Sequence, residues 1–409
     1  MEQLILTRLK LNQLNKRIKI LLLLIVIPFI ETAAQLAPYE INGYAKYLFS
    51  SSKIPRIEDR LTDHLIHLRL NSRWYATQSL TAAMELRFRA FYGESVQKIP
   101  SYKDYIQTKH DFANLDAILW ESEKSLGYLE VDRLWLDYYK NDLQVTLGRQ
   151  RVAWGTCWVW NPTDLFNPLN VLDFDYEELP ATDAIRLQYY TGAVSKLEIT
   201  YKPAKKNRDQ ILAGLWSINK WDYDFNFIAG MRFKRWLAGF SWAGDILDAG
   251  FRGEILVSDK ASQSDNPNQL IPLDNSIYNF DQSIVSASLS GDYTFENSFY
   301  IHTEILFNNN GKTDNTFLYQ QEASSLGMLS AARWSLYQEF AYDITPLIRG
   351  TIFAIFNPSD HSFIVVPSVS YSVITNLDLF ANVFFFEGDS LTEFGEYGTA
   401  AYIRLKYSF

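Results

Sequence analysis

Two stretches near the beginning of the chain, 64–76 and 80–90, alternate strictly between apolar and polar side chains. This pattern limits the fold more than any other feature, because a period of two over ten or more residues indicates a β-strand with two unlike faces. The charged residues of the polar faces are Arg69, Arg73, Glu85, Arg87 and Arg89. Soluble sandwiches and membrane barrels both alternate, but these runs reach the length of about 9 to 11 residues with which a tilted strand crosses lipid.

The first 34 residues are typical of a secretory signal peptide. A basic lead precedes the apolar run 20–30, and the small residues 32–34 place the expected cleavage after Ala34. The run is too short for a membrane anchor helix, which needs about 20 residues. No comparable apolar stretch follows, so we expect residues 35–409 to form one exported domain, either soluble or a transmembrane barrel.

Composition narrows the function classes. Of the 38 Lys and Arg and the 47 Asp and Glu, five and two lie in the predicted signal peptide, which leaves the mature chain about twelve charges negative. This balance argues against nucleic-acid binding. Cys157 is the lone cysteine and excludes an internal disulfide. Aromatic residues make up 15% of the chain, which suits the two interfacial girdles of an outer-membrane barrel.

Short and long connections alternate along the chain, as in barrels with short periplasmic turns and long extracellular loops. The longer predicted connections are 51–63, 93–126, 154–182, 258–279, 308–332 and 387–397. The strands between the connections number eighteen, with sixteen as the alternative because residues 210–251 divide less clearly. The sequence therefore predicts an all-β fold, a transmembrane antiparallel up-and-down barrel with both ends of the mature chain in the periplasm.

The last strand alternates up to a C-terminal Phe409. Such an ending resembles the signal by which the barrel-assembly machinery inserts proteins into the outer membrane of Gram-negative bacteria. We therefore expect this machinery, outer-membrane lipid and lipopolysaccharide to be partners of the chain.

Enzyme and metal sites find little support. The segment 239–244 has some letters of a nucleophile elbow but lacks the Gly two residues after Ser241 and lies in an alternating strand. His64 and His67 fall on opposite faces of one strand. His302 and Glu304 share a face and could meet an ion, but two polar side chains in a wet pore are the better explanation. We predict no catalysis, no cofactor and no metal.

Charged residues on the inward faces would line a water-filled lumen and set a transverse field across it. The predicted pore-lining charges are Arg69, Arg73, Glu85, Arg87, Arg89, Arg149, Lys196 and Glu198. Four Arg on two neighbouring strands suggest a preference for anionic solutes. The alternative is that these charges only solvate the inner wall.

Arg149 requires a break in the alternation to reach the lumen. Leu143, Val145 and Leu147 face lipid by parity, and unbroken alternation would also turn Arg149 outward, at a cost of up to about 2 to 4 kcal/mol. Gly148 is the natural place for a bulge that reverses the facing of the strand. We therefore expect an inward Arg149.

From Trp154 onward the pattern stops, and two Asn-Pro steps keep the chain irregular. We expect this segment to fold back into the barrel mouth and narrow it, because its many apolar side chains would be costly to leave in water. The alternative is a surface loop packed on its neighbours or on lipopolysaccharide. The predicted constriction residues are Trp154, Trp158, Trp160, Asn161, Asp164 and Phe166.

About forty residues of this region also resemble a known group of proteins. The run 132–138 (DRLWLDY), Gly148-Arg149-Gln150, Trp154-Gly155 and the run 161–164 (NPTD) are similar to porin-like outer-membrane proteins related to alginate-export-type barrels. The resemblance implies a channel and assigns no substrate. Cys157 stands where a small Gly would be expected.

These observations predict a porin-like channel that passes small or anionic solutes through a constricted lumen. The alternative, from another functional class, is a plugged barrel that binds or organises surface polysaccharide for capsule assembly or export. Conductance in planar bilayers separates the two hypotheses.

Overall fold

The computed structural model describes residues 39–53, 55, 59–107, 112–167, 178, 180–260 and 282–409, and the predicted signal peptide lies outside these ranges. Nineteen described strands form one antiparallel sheet. In chain order they are β1 Tyr39–Ser52, β2 Leu61–Thr77, β3 Leu80–Gly93, β4 Asp116–Glu121, β5 Ser125–Lys140, β6 Leu143–Gln150, β7 Thr182–Tyr190, β8 Lys196–Lys202, β9 Ile211–Lys220, β10 Tyr223–Arg232, β11 Arg235–Ile246, β12 Ala249–Ser258, β13 Ile284–Thr294, β14 Tyr300–Asn308, β15 Trp334–Thr345, β16 Ile348–Phe356, β17 Phe363–Ile374, β18 Leu377–Glu387 and β19 Ala400–Ser408.

The sheet closes on itself, because β1 pairs with both β2 and β19. Eighteen strands form the barrel, and β4 is a short additional strand. β4 pairs only with residues 126–130 of β5, a part of β5 that β6 does not reach because β6 ends at Gln150. The prediction of an eighteen-stranded antiparallel barrel is therefore confirmed, and β9 to β12 account for the four strands that divided least clearly in the sequence.

The connections that follow β2, β5, β7, β9, β11, β13, β15 and β17 are short turns, and all lie at one end of the barrel, which we call the turn end. The opposite, loop end carries nine connections, L1 to L9. They comprise residues 53–60, 94–124, 151–181, 203–210, 233–234, 259–283, 309–333, 357–362 and 388–399. The described α-helices are one or two turns long: α1 Glu94–Lys98 and α2 Tyr102–Ile106 in L2, and α3 Gln320–Leu326 in L7. None of them is long and apolar enough to cross a membrane.

The two faces of the sheet follow the parity of the sequence. In β2, Leu68 and Leu70 are exposed on the outer surface, whereas His67 and Arg69 at the alternate positions are buried. Exposed aromatic side chains ring the outer surface near both ends. Those near the turn end are Tyr39, Trp74, Tyr138, Tyr342, Tyr371 and Tyr407, and those near the loop end are Tyr92, Trp120, Trp236, Trp334 and Phe363.

The hydrophobic core lies inside the barrel rather than between two layers. One apolar cluster joins L3 to the inner faces of β9 to β12, and a second joins L3 to β14 to β19. A third cluster forms around α3 in L7. The loops that fold inward therefore supply much of the packing that holds the interior together.

Candidate pore constriction

The described first half of L3 runs along the inside of the barrel, where two carboxylates from the wall hold its backbone. Glu254 on β12 is buried and faces the interior. Its Oε1 accepts hydrogen bonds from the backbone N–H groups of Thr156 and Cys157, the latter at 2.9 Å. Its Oε2 accepts from the backbone N–H of Thr163 at 2.9 Å and from its hydroxyl at 2.6 Å. Hydrogen bonds to a charged acceptor are the stronger kind, so this single side chain fixes both arms of the loop.

Glu304 on β14 holds the centre of L3 in the same way. Its carboxylate accepts from three successive backbone N–H groups, those of Trp158 and Val159 at 3.2 Å and that of Trp160 at 2.5 Å. The side chain is fully buried. The Glu304 carboxylate therefore binds the backbone of the loop, in the place where the sequence allowed an ion. His302 Nε2 lies 3.4 Å from Glu304 Oε2.

The indole groups of L3 also bind wall carboxylates. Trp154 donates its ring N–H to Glu198 at 2.8 Å, and Trp158 donates to Asp292 at 3.3 Å. The Arg252 guanidinium lies 4.8 Å from the centre of the Trp158 ring. Trp154 is buried, whereas Trp158 remains 56% exposed inside the barrel. Of the predicted constriction residues, Trp158 thus presents the largest surface to the lumen.

The other predicted constriction residues are buried or half-buried. Phe166 packs edge-on against Trp154, and Trp160 packs against Tyr337 of β15. The Asn161 side chain occupies the space beside Gly155, where a Cβ would collide with it. Burial raises the pKa of the Asp164 carboxyl to about 7. Most side chains in the described first half of L3 are therefore buried inside the barrel.

L3 also reaches the opposite wall. Glu178, in the second half of the loop, accepts a hydrogen bond from the Tyr44 hydroxyl of β1 at 3.0 Å and lies 3.5 Å from the Arg69 guanidinium of β2. Glu254 and Glu304 stand on β12 and β14, on the far side of the sheet order. Described parts of one loop thus contact walls on both sides of the lumen.

The wall that receives Glu178 is rich in cations. Arg69 is buried and bonds Glu85 and Asp132, the latter at 2.6 Å. Arg87 pairs with Glu130 at 2.6 Å, and Arg89 lies against the Tyr128 ring. Further cationic side chains of the same inner region are Lys46 on β1, Arg133 on β5, and Arg404 and Lys406 on β19.

Three of the predicted charges lie away from this wall. Arg73 is exposed near the turn end. Lys196 and Glu198 lie on β8, where Glu198 is buried and binds both Lys196 at 3.0 Å and Arg186 at 2.6 Å. Lys196 lines a cavity of about 420 Å³ that it shares with Trp154, Ser217, Asp224 and Asn226 on the turn-end side of L3.

Arg149 is buried at a seam of the wall. Its guanidinium binds Asp183 on β7 at 3.0 Å and donates to the carbonyl oxygens of Val131 and Ala113 at 3.1 and 2.6 Å. These contacts close the corner where β4, β5, β6 and β7 meet. The expected bulge is absent, because β6 stays in register with both neighbours through Arg149. Gly148 turns the strand with a φ of 115° instead.

Several residues of the site escaped the sequence analysis. Strand alternation could have identified Glu254 as an inward residue, since it lies between the outward Gly253 and Ile255 on a mostly apolar strand. Alternation could not have identified Asp132, because a register shift in β5 opposite Glu85 and Leu86 changes which side chains of β5 face inward. Within the described ranges, no group of three or more His, Cys, Asp or Glu is arranged to hold a metal ion.

Phe409 and Cys157 lie outside these charged groups. Phe409 exchanges backbone hydrogen bonds of 2.9 and 3.0 Å with Gly43 of β1, at the seam where the barrel closes. Cys157 is buried in L3, where its sulfur accepts a hydrogen bond from Ser288 at 3.2 Å and burial raises the pKa of its thiol.

Comparison with known proteins identifies the fold. No protein-family model matches the chain, and no curated protein matches its sequence. Among solved structures, it is similar to OccAB4 and OccAB2 of Acinetobacter baumannii, with TM-scores of 0.57 and 0.56 at 9% and 8% identity; each match covers 92% of this chain and, respectively, 100% and 99% of the other. It is also similar to OccK11 of Pseudomonas aeruginosa, with a TM-score of 0.53 at 7% identity over 91% of this chain and 96% of the other. The chain therefore has the closed eighteen-stranded barrel of Occ-type outer-membrane porins.

Proposed function

We propose that this protein is a porin-like channel in the outer membrane of a Gram-negative bacterium. An apolar outer surface between two aromatic girdles suits a lipid bilayer. The loop end would then face the exterior and the turn end the periplasm. The likeness to Occ-type porins agrees with this location, although the relation to alginate-export-type barrels stays a hypothesis from the sequence.

The attachment of L3 to both walls carries the proposal. A loop held by Glu254 and Glu304 on one side and by Arg69 on the other narrows the lumen. The narrowed passage lies beside a wall with Arg87, Arg89 and further cations. Such a passage admits small solutes, and the fixed positive charges favour anions among them.

Reversal potentials across planar bilayers under a salt gradient test the proposal. We expect discrete conductance steps with a preference for chloride over potassium. Replacing both Arg87 and Arg89 by Gln is expected to reduce this preference several-fold. Arg349→Gln is the matched control, because Arg349 pairs with Asp343 near the turn end and lies outside the constriction. Equal selectivity in wild type and the double variant would refute the anion preference.

A second candidate is a filled barrel that binds or organises surface polysaccharide. Packing of L3, L7 and L9 inside the mouth favours it, since Phe394 of L9 and Trp160 of L3 share one buried cluster with the inner wall. The same bilayer experiment separates the two functions, because a filled barrel gives no conductance steps.

We also propose that the barrel-assembly machinery recognises the C-terminal strand. Phe409 is exposed and lies at the β1–β19 seam, the last pairing needed to close the sheet. Phe409→Ala is expected to lower the amount of folded protein in the outer membrane while leaving refolding from urea into detergent intact.

A further inference from the structure

L4 and L5 concentrate positive charge at the loop end. The cationic residues in these two loops and in the positions flanking L5 are Lys205, Lys206, Arg208, Arg232, Lys234 and Arg235, and the acidic one is Asp209. L9, at the same end, carries three acidic residues and no Lys or Arg. The concentration also opposes the charge of the whole chain, which is −9.

The two loops touch and form one surface. Phe233 of L5 lies between three guanidinium groups, with that of Arg208 from L4 at 5.7 Å from the ring centre. The guanidinium groups of Arg232 and Arg235 lie 4.7 and 5.5 Å from the same ring. Cation–π contacts therefore join L4 to L5 directly.

Two arginines of this surface, Arg208 and Arg235, form hydrogen bonds with L7. Arg208 donates to the carbonyl oxygen of Ser325 at 3.3 Å, and Arg235 donates to that of Leu326 at 3.0 Å. Both acceptors belong to the last turn of α3, where carbonyl groups lack helical partners and favour cations. These arginines thus have a structural role that the lysines do not share.

The lysines point into solvent. Lys205, Lys206 and Lys234 are exposed, and in the part of the chain that the structure describes their ammonium groups form no hydrogen bond or ion pair. Trp236 lies two residues after Lys234, faces outward from β11 and is 70% exposed. An outward Trp in the loop-end girdle marks the level of the lipid headgroups, so the three lysines lie at or just beyond that level.

We propose that this L4–L5 rim, formed by Lys205, Lys206, Lys234 and Trp236, binds the phosphate groups of lipopolysaccharide in the outer leaflet. Ammonium groups are compact point charges that bind phosphate, and a Trp ring beside them packs at the boundary of headgroups and acyl chains. The inference rests on the outer-membrane location proposed above. It adds a lipid site on the outer wall that is separate from the lumen.

Binding of lipid A to the purified full-length protein in detergent tests the site. We expect bisphosphorylated lipid A to bind more tightly than the monophosphorylated form. Replacing all three lysines by Gln is expected to weaken binding of the bisphosphorylated form at least tenfold, and replacing them by Arg is expected to retain it. Gel-shift on heating verifies that each variant is folded.

The control removes the same charge from other loops, by Lys53→Gln, Lys103→Gln and Lys124→Gln in L1 and L2. Equal weakening by this control would overturn the proposal, as would unchanged binding in the Gln variant of the rim. Competition by inorganic phosphate as strong as that by lipid A would indicate a general anion site and also overturn it. Conductance of the rim variant in phospholipid bilayers is expected to match wild type, so loss of the lipid site and failure of the channel proposal give different results.

Discussion

The backbone N–H of Trp160 donates a hydrogen bond of 2.5 Å to Glu304, a residue 144 positions later in the chain. A wall carboxylate thus fixes the middle of a loop from inside the barrel. With Glu254 acting in the same way on the two arms of L3, the loop takes its position from β12 and β14 rather than from its own turns. The width of the passage depends on these carboxylates.

Glu304→Ala is expected to loosen L3 and to raise both the conductance and its noise. Three backbone N–H groups lose their acceptor in a buried place, and each unsatisfied group costs about 1 to 3 kcal/mol. Single-channel recording measures the effect. Glu339→Ala is the control, because Glu339 accepts from the Tyr337 hydroxyl on β15 and makes no hydrogen bond with the described residues of L3. Identical traces for the two variants would show that Glu304 does not position the loop.

Gly148→Ala is expected to impair folding of the wall around Arg149. The φ of 115° is strained for any residue with a Cβ, at about 1 to 3 kcal/mol, and the new atom would also collide with the carbonyl oxygen of Leu134. Gly291→Ala on β13 is the control, since its Cβ would lie 3.8 Å from the nearest atom. Urea unfolding in lipid vesicles should show a lower midpoint for the first variant alone.

The sequence could predict the wall of this barrel but only part of its interior. Strand parity places Leu68 and Arg69 correctly because lipid and polar interior differ sharply across one sheet. The same rule fails to explain why Phe384 and Phe386 point inward beside Asn382, since their partners belong to loops that fold back into the mouth. Contacts between distant segments, such as Glu304 with L3, leave no local pattern. A register shift likewise hides Asp132 from a count of alternation.

Arg69→Met is expected to destabilise the barrel strongly. It would leave Glu85 and Asp132 as buried carboxylates without this guanidinium and would release Glu178 of L3, and removing one partner of a buried pair costs about 3 to 5 kcal/mol. Arg349→Met provides the comparison, because Arg349 and Asp343 are about two-fifths exposed and such pairs contribute only about 0 to 1 kcal/mol. Urea midpoints in vesicles measure both. Similar shifts for the two variants would contradict a buried cationic anchor at Arg69.

The packing of L9 against L7 and L8 is expected to weaken as pH rises through neutrality. Glu393 of L9 is buried, accepts a hydrogen bond from Ser330 of L7 at 2.7 Å, and donates its backbone N–H to Asp360 of L8 at 2.8 Å. Burial raises the pKa of its carboxyl to about 7, with the nearby Asp360 acting in the same direction. A raised pKa means that the folded loops hold the proton more tightly than the unfolded chain. The stabilisation is therefore complete below the ordinary pKa of about 4.5 and is lost as pH rises through about 7.

Gating noise recorded at pH 5 and pH 8 measures this loss, and wild type is expected to be noisier at pH 8. Glu393→Gln keeps the shape of the side chain without the charge, so it should remove the part of the pH dependence that arises in L9. Asp164 in L3 also has its pKa raised to about 7 by burial, and a combined Asp164→Asn variant should remove the remainder. Glu396→Gln serves as the control, because that carboxylate accepts from Leu391 and Ser390 within L9 itself. A pH dependence that survives in the doubly neutral variant would place the titrating group elsewhere in the channel.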